Sequence, residues 1–321
     1  MGGCGERGWG ELLEAVARRA ELERLFGLEE LYPRPLAAGA PPAPAGGESR
    51  PRPPDELRAR AVEAARARAR AAQSARAAPA ARERPPAQPA PAGATQAFTI
   101  EELPGADEMA LFSEAERAGI PRVSAESGTK AERLARLAEV ASRCTRCGLA
   151  ATRKSVVFGE GDPGAALVFV GEAPGADEDA TGRPFVGRAG KLLTKIIEAM
   201  GFAREEVYIC NVLKCRPPGN RAPAPEEVLH CSPYLHEQLA VIEPRAICAL
   251  GGPAATTLLG AKEGITRLRG RLFRYRGTPL MPTFHPAYLL RNMSEKGKVW
   301  EDMKKLKAFL ASLGVTPRGK T

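Results

Sequence analysis

ALVFVGEAPGADEDATGRPFVGRAG, residues 166–190, is the stretch whose reading decides the fold. It opens on a short apolar run, residues 166–170, of a length that suits one buried strand. A turn rich in Gly, Pro and acids follows, residues 171–182, and then a second apolar, Gly-rich piece that leads into a helical pattern. Strand, loop, helix is the grammar of an open α/β sheet, where ligands bind just beyond the carboxyl ends of the strands.

Working outward, short apolar runs alternate with helical periodicity. The strands are expected at 166–170, 207–212, 246–250 and 280–284, and the helices at 129–143, 187–200, 225–242, 253–259 and 296–313. A short hairpin over 268–275, with Gly277 after it, is expected to precede the fourth strand. Alternating β and α predicts a parallel sheet covered on both faces. The expected fold class is therefore α/β, a three-layer α/β/α sandwich around a four-stranded parallel sheet, spanning residues 126–321.

The first 125 residues differ in kind. Residues 10–32 suit an amphipathic helix through Leu12, Leu13, Val16, Leu22, Leu25, Phe26 and Leu28, so 1–32 is read as a docking helix or a marginal helix on a tail. Residues 33–125 form a low-complexity linker, dominated up to residue 98 by Ala, Pro, Arg and Gly; such composition buries too little apolar surface to offset its ordering entropy and is expected to be mostly disordered. Ten Arg against four acids between Arg50 and Arg84 suit at most weak contact with DNA phosphates.

Charge is unevenly placed. Residues 1–125 hold 17 Lys+Arg and 18 Asp+Glu, and the remainder 30 and 20. A basic folded half suits a polyanionic partner, although a solvated basic surface accounts for the charge equally well. No apolar run approaches the ~20 residues of a membrane span. The N-terminus lacks the apolar core of a secretory signal, and Met1-Gly2-Gly3-Cys4 lacks the Ser or Thr an acylation site needs.

Seven cysteines, an odd number without an export signal, argue for metal binding or burial over a disulfide framework. Cys144 and Cys147 form a CxxC pair, Cys215 follows the second strand, and Cys231 comes after fifteen intervening residues. Four thiolates suit tetrahedral zinc or an iron–sulfur cluster. Cys210 and Cys248 sit inside strand patterns as small buried residues, and Cys4 lies on the tail.

Three polar residues fall at strand ends: Glu172, Asn211 and His285. Singly, each is explained by a turn, a loop or a hydrogen-bonded core; together they converge on one crevice. Asp177, Glu178 and Asp179 stand in the opening loop, suited to general-base work or to countering a cation. Phe185 offers a stacking face to a flat ligand.

GEAPGADEDATGRPFVGRAG, NVLKCRPPGNRAPAPEE, the Cys231-Ser-Pro-Tyr-Leu segment and HPAYLLRN together resemble the family 4 uracil-DNA glycosylases, the iron–sulfur enzymes of bacteria and archaea. The resemblance spans about residues 133–313. It implies hydrolysis of the N-glycosidic bond of deoxyuridine in DNA, which leaves an abasic site and initiates base excision repair. It implies that Cys144, Cys147, Cys215 and Cys231 ligate a [4Fe–4S] cluster, where the spacing alone leaves zinc open. It implies a pocket bordered by Gly171 and Ala173 in which Phe185 stacks on uracil, Asn211 reads its polar edge and His285 donates to O2. Glu172 and Glu178 are the carboxylates that hold water and counter the cationic sugar, with Glu178 preferred for the water. Leu289, Leu290 and Arg291 would fill the hole left by the flipped base. Amides around Gly175, Gly187 and Gly190, with Arg188 and Lys191, would bind phosphates. Other glycosylase branches place Asp or Asn where Ala173 stands, so water activation must lie elsewhere in the loop. The basic, His-containing insertion of a covalent uracil-binding branch is absent from the motif, so ordinary turnover is expected. The implied partner is uracil-containing DNA, acted on by a monomer in the cytosol and nucleoid. Two other readings stand beside this one: from another class, an iron–sulfur- or zinc-bearing nucleic-acid-binding module of the same fold without turnover, and a glycosylase for other deaminated bases.

Overall fold

The computed structural model describes residues 98–101, 103 and 119–318. The helix expected within 1–32 and residues 33–97 of the linker lie outside the described residues.

Among the described residues seven strands form one mixed sheet: β1 (Ile100–Glu101), β2 (Glu160–Gly161), β3 (Leu167–Gly171), β4 (Tyr208–Asn211), β5 (Ala246–Leu250), β6 (Leu272–Tyr275) and β7 (Thr278–Thr283), in the order β1-β6-β7-β5-β3-β4-β2. At its centre β7, β5, β3 and β4 run parallel, which is the four-stranded sheet expected from the sequence. The sheet is wider than expected because antiparallel β6 and β2 flank this centre and β1 pairs with β6 in parallel. The β6–β7 hairpin turns through Arg276 and Gly277, whose φ angles of 47° and 80° are the double positive φ that a two-residue hairpin turn demands.

Eight helices cover the sheet among the described residues: α1 (Lys130–Ser142), α2 (Ala176–Thr181), α3 (Arg188–Ala199), α4 (Pro225–Ile242), α5 (Gly252–Leu259), α6 (Ile265–Leu268), α7 (Pro286–Arg291) and α8 (Lys296–Ser312). Side chains alternate faces along a strand, and β3 shows the consequence. Val168 and Val170 join the core under α1, α4 and α5, whereas Leu167 and Phe169 join the core under α3 and α8. Both faces of β3 are buried, so its sequence is continuously apolar rather than alternating. Cys210 and Cys248 are buried in strands, as their apolar settings implied.

The packed part of the chain reaches further back than residue 126. Ile120 and Val123 lie in the core, Phe98 packs edge-on against Phe309 at 5.3 Å, and Arg271 pairs with Glu101. A Thr129–Glu132 capping box starts α1: the Thr129 hydroxyl accepts from the Glu132 amide and Glu132 Oε2 accepts from the Thr129 amide. No helix among the described residues is long and apolar enough to cross a membrane.

Leu289 corrects one expectation. It is 1% exposed and belongs to the core with Leu192, Phe284 and Val299, so it cannot enter a DNA stack. Truncating it to alanine should cost about 2–5 kcal/mol of stability, the usual range for a buried leucine. Chemical denaturation checks this. A loss below about 1 kcal/mol would show that Leu289 is not core.

Candidate active site and a four-cysteine cavity

The carboxyl ends of β3, β4 and β7 open into one cavity of about 400 Å³, bordered by Glu172, Glu178, Phe185, Asn211 and His285. The strand-end convergence read from the sequence is therefore present. Ala173, Asn220, Arg221, Tyr288 and Arg291 also border it.

The floor is built by a glycine. A side chain on Gly171 would place its Cβ 2.3 Å from Asn211 Oδ1 and 2.5 Å from Phe185 Cζ. Only hydrogen at this position leaves the amide and the ring their places. Asn211 is 1% exposed, and its Oδ1 is buried without a hydrogen-bond partner among the described residues. An orphaned buried acceptor costs about 1–3 kcal/mol unless something supplies a donor. Here it borders a cavity large enough for a planar base.

Phe185 holds a φ of 52°, a left-handed conformation that a bulky residue avoids. The loop overdetermines it. Arg204 Nη2 donates to the Pro184 carbonyl at 2.6 Å, and Arg204 is itself held by Glu160. On the other side, Glu178 Oε1 accepts from the amides of Val186 and Gly187, both at 2.9 Å. A Cβ on Gly190 would lie 1.9 Å from the Phe185 carbonyl oxygen, so this turn requires glycine there. The Phe185 ring lies 5.6 Å from the His285 ring, tilted by 32°.

Glu178 also accepts from the Gly175 amide at 3.1 Å. Its carboxylate thus serves three backbone N–H groups, and the preference for Glu178 as the water holder is overturned: it braces the loop. Asp179 is likewise internal, accepting from the amides of Lys154 and Ser155. Glu172 is different. It is half-buried and borders the cavity, and its carboxylate accepts no hydrogen bond from any described residue; burial raises its pKa above the usual carboxylate range.

His285 Nδ1 accepts from the Ala287 amide at 3.1 Å, at the start of α7. That bond leaves the proton on Nε2 in the neutral ring. Burial, and then the Arg291 guanidinium, lower the His285 pKa to about 4, so the ring is neutral at physiological pH. The strand end that carries it is tied down: Thr283 Oγ1 donates to Asp302 Oδ2 at 2.7 Å, and Arg269 pairs with the same carboxylate.

Of the outer residues, Arg188 and Lys191 are exposed on the first turn of α3, and Leu290 is half-buried. Sequence reasoning passed over three rim residues. Tyr288 is 36% exposed, with its ring 5.0 Å from Phe284. Arg221 pairs with buried Glu227. Asn220 has a φ of 55° and accepts from Arg216 at 2.7 Å. The PPGNR run was the available signal for the last two, and the exposed aromatic in HPAYLLRN for the first.

Cys144, Cys147, Cys215 and Cys231 border a second cavity together with Arg153, Lys214 and Tyr234. All four are free thiols, and no three His, Cys, Asp or Glu side chains among the described residues converge on a single ion position. The surroundings favour sulfur anions. Arg153 Nη1 donates to Cys215 Sγ at 3.4 Å, and the Lys214 amide donates to Cys231 Sγ at 3.2 Å. Burial raises the pKa of Cys147 and Cys215 and pushes Cys231 up to about 12, so these sulfurs ionise only when a bound cationic group offsets the cost. An all-thiol donor set with N–H groups aimed at sulfur fits a thiolate-ligated metal group.

The chain is also similar in sequence to known proteins. A family model described as the uracil DNA glycosylase superfamily matches residues 158–304. The type-4 uracil-DNA glycosylase of Thermotoga maritima is 47% identical over 190 residues, covering 58% of this chain and 99% of that protein. That of Saccharolobus solfataricus is 42% identical over 189 residues, covering 56% and 88%. That of Sulfurisphaera tokodaii is 42% identical over 198 residues, covering 59% and 88%.

Proposed function

The chain belongs to the type-4 uracil-DNA glycosylases, and from that premise we propose how its residues divide the excision of uracil from DNA. The enzyme hydrolyses the N-glycosidic bond of deoxyuridine and releases uracil. The observation that carries the site assignment is the buried Asn211 Oδ1, without a hydrogen-bond partner among the described residues, bordering a base-sized cavity with the Phe185 ring.

The target base leaves the stack to enter the cavity. Phe185 stacks on its face. Asn211 Oδ1 accepts from N3–H, and its Nδ2 donates to O4. Cytosine presents the reverse pattern and would leave the buried amide unpaired, which is how a hydrogen-bonding site rejects an analogue strongly. As the C1′–N1 bond breaks, its electron pair moves onto the uracil ring, and His285 Nε2–H donates to O2 where that charge collects. Glu172 faces the electron-poor sugar. It takes a proton from water as the oxygen bonds to C1′, and that proton later returns to the departing uracil. Free uracil and an intact strand with an abasic site are the products, which mass analysis without alkali would identify. A strand broken in the absence of alkali would contradict this scheme.

Asn211→Asp removes the donor to O4 and sets a carboxylate oxygen against it. Excision of uracil should fall by about ten- to a hundredfold, and the preference for uracil over cytosine should narrow. Single-turnover rates on matched oligonucleotides check both; an unchanged preference would remove Asn211 from base reading.

Tyr288 and Arg291, exposed beside the cavity, are the residues that fill the vacated stack, with half-buried Leu290 behind them. Arg188 and Lys191 grip flanking phosphates. Tyr288→Ala should raise KM several-fold on duplex DNA and little on single-stranded DNA, where no stack needs filling. Equal effects on the two substrates would count against a wedge.

Cys144, Cys147, Cys215 and Cys231 hold a [4Fe–4S] cluster. When bound, it supplies a structural cross-link between the end of α1, the β4 exit and α4, and takes no part in bond cleavage. Iron and acid-labile sulfide in stoichiometric amounts support this reading, whereas zinc alone would replace it. The enzyme acts on DNA in the cytosol and nucleoid as a monomer.

A further inference from the structure

Lys214 stands between the two cavities. It is 2% exposed, and it follows Asn211 by three residues and precedes Cys215. Its ammonium donates to the main-chain carbonyl of Asn211 at 2.8 Å and to the side-chain carbonyl of Gln238. Gln238 Nε2 in turn donates to the Phe158 carbonyl at 2.9 Å and to the Tyr208 hydroxyl at 3.2 Å, which returns the network to the start of β4. The Lys214 main chain is equally committed. Its carbonyl accepts from Val157 at 2.8 Å, and its amide donates to Cys231 Sγ.

A buried ammonium needs negative charge nearby. No carboxylate pairs with Lys214 among the described residues; its acceptors are two neutral carbonyls. The anionic groups available to it are the cysteine sulfurs, since Lys214 borders the same cavity as Cys144, Cys147, Cys215 and Cys231.

We propose that Lys214 is a positioning residue that couples the four-cysteine site to base reading by Asn211. Filled, the cysteine site supplies the negative charge that keeps the ammonium buried, and the ammonium then fixes the peptide that orients the Asn211 amide. Emptied, it leaves the ammonium without a counter-charge and the Asn211 carbonyl without a dependable donor. This inference rests on the assignment of Asn211 as the base reader and of the cysteines as ligands.

The test compares holoprotein of the wild type, Lys214→Met, Lys214→Arg, Asn211→Ala and the Lys214→Met/Asn211→Ala double variant. Two quantities are read: kcat/KM on a uracil-containing oligonucleotide, and iron retained per chain after challenge with a chelator. Lys214→Met should lower kcat/KM by about ten- to a hundredfold, the worth of one charge-assisted hydrogen bond. On the Asn211→Ala background the same change should matter far less, because the residue it orients is gone. It should also speed iron loss, and Lys214→Arg should recover part of both effects. Equal losses in the two backgrounds, or iron retention equal to wild type, would overturn the coupling. If Lys214→Met does not accumulate folded, Gln238→Leu removes the ammonium's second acceptor and enters the same cycle with the same criteria. Wild-type excision in the same assay separates failure of this link from failure of the activity itself.

Discussion

Replacing Glu172 with glutamine should slow uracil excision by about 10²–10⁴-fold while leaving DNA binding nearly unchanged, the range typical of a lost general base. The geometry singles out this carboxylate. Of the acids in the opening loop, Glu178 is saturated by the amides of Gly175, Val186 and Gly187, and Asp179 by those of Lys154 and Ser155. Glu172 borders the cavity with both oxygens uncommitted among the described residues, and burial raises its pKa. Two consequences carry definite signs. The reaction needs the ionised form, so kcat/KM falls as the pH drops through a value above the ordinary carboxylate range, and the glutamine variant lacks that limb. The folded state also binds this proton more tightly than the unfolded chain, so the wild type loses stability as pH rises through that window. Glu172→Gln should therefore be at least as heat-stable as the wild type at neutral pH. A pH–rate profile and a melting curve read these two effects; an acid limb that persists in the variant would assign it to another group.

Replacing His285 with alanine should lower kcat by on the order of 10²–10³-fold, the usual loss when one preorganised donor to a developing anion is removed. The Ala287 amide fixes Nδ1 as acceptor, so the ring presents Nε2–H to the cavity. A pKa lowered to about 4 keeps it neutral through the working range. No limb attributable to a histidine should appear near pH 6.5, its ordinary value. For stability the sign is the reverse of Glu172. Between about pH 4 and the ordinary value the unfolded chain holds the proton and the folded protein does not, so His285 makes stability rise with pH across that window. His285→Ala should flatten that rise. A variant that keeps wild-type kcat would show that charge on O2 is stabilised elsewhere.

The central strands were legible for a physical reason. β3 and β5 are buried along their whole length and read as unbroken apolar runs, and β7 is buried over its last four residues, Leu280–Thr283; the residues just past β3 and β7 border the crevice. For that reason Glu172 and His285, with Asn211 closing β4, are legible as strand-end residues in the sequence. β1 and β2, at two residues each, carry no period to detect. Leu289 and Tyr288 show the limit of composition: in HPAYLLRN the leucines look like a wedge, but the short helix α7 turns Leu289 inward and leaves the tyrosine at the rim. Glu178 shows another. A carboxylate three residues after a glycine suits water or a cation as well as a turn, and only the fold reveals that backbone amides surround it. Phe185 was recognised as a ring for stacking, but nothing local announces its positive φ, which depends on Arg204 and Glu178 reaching it from either side. Nothing local to Lys214 announces its burial; only the fold sets its ammonium against the Asn211 carbonyl and Gln238.

The central claim is that the crevice at the ends of β3, β4 and β7 selects uracil and cleaves its bond to deoxyribose. Single-turnover release of the free base from duplexes that differ only in carrying uracil, thymine or cytosine at one position tests it most directly. The account predicts release of uracil, and rates for cytosine lower by a factor on the order of 10⁴ or more, because the reversed donor–acceptor edge of cytosine leaves the buried Asn211 amide unpaired. Comparable release of uracil and cytosine by holoprotein, or none of uracil, would contradict it.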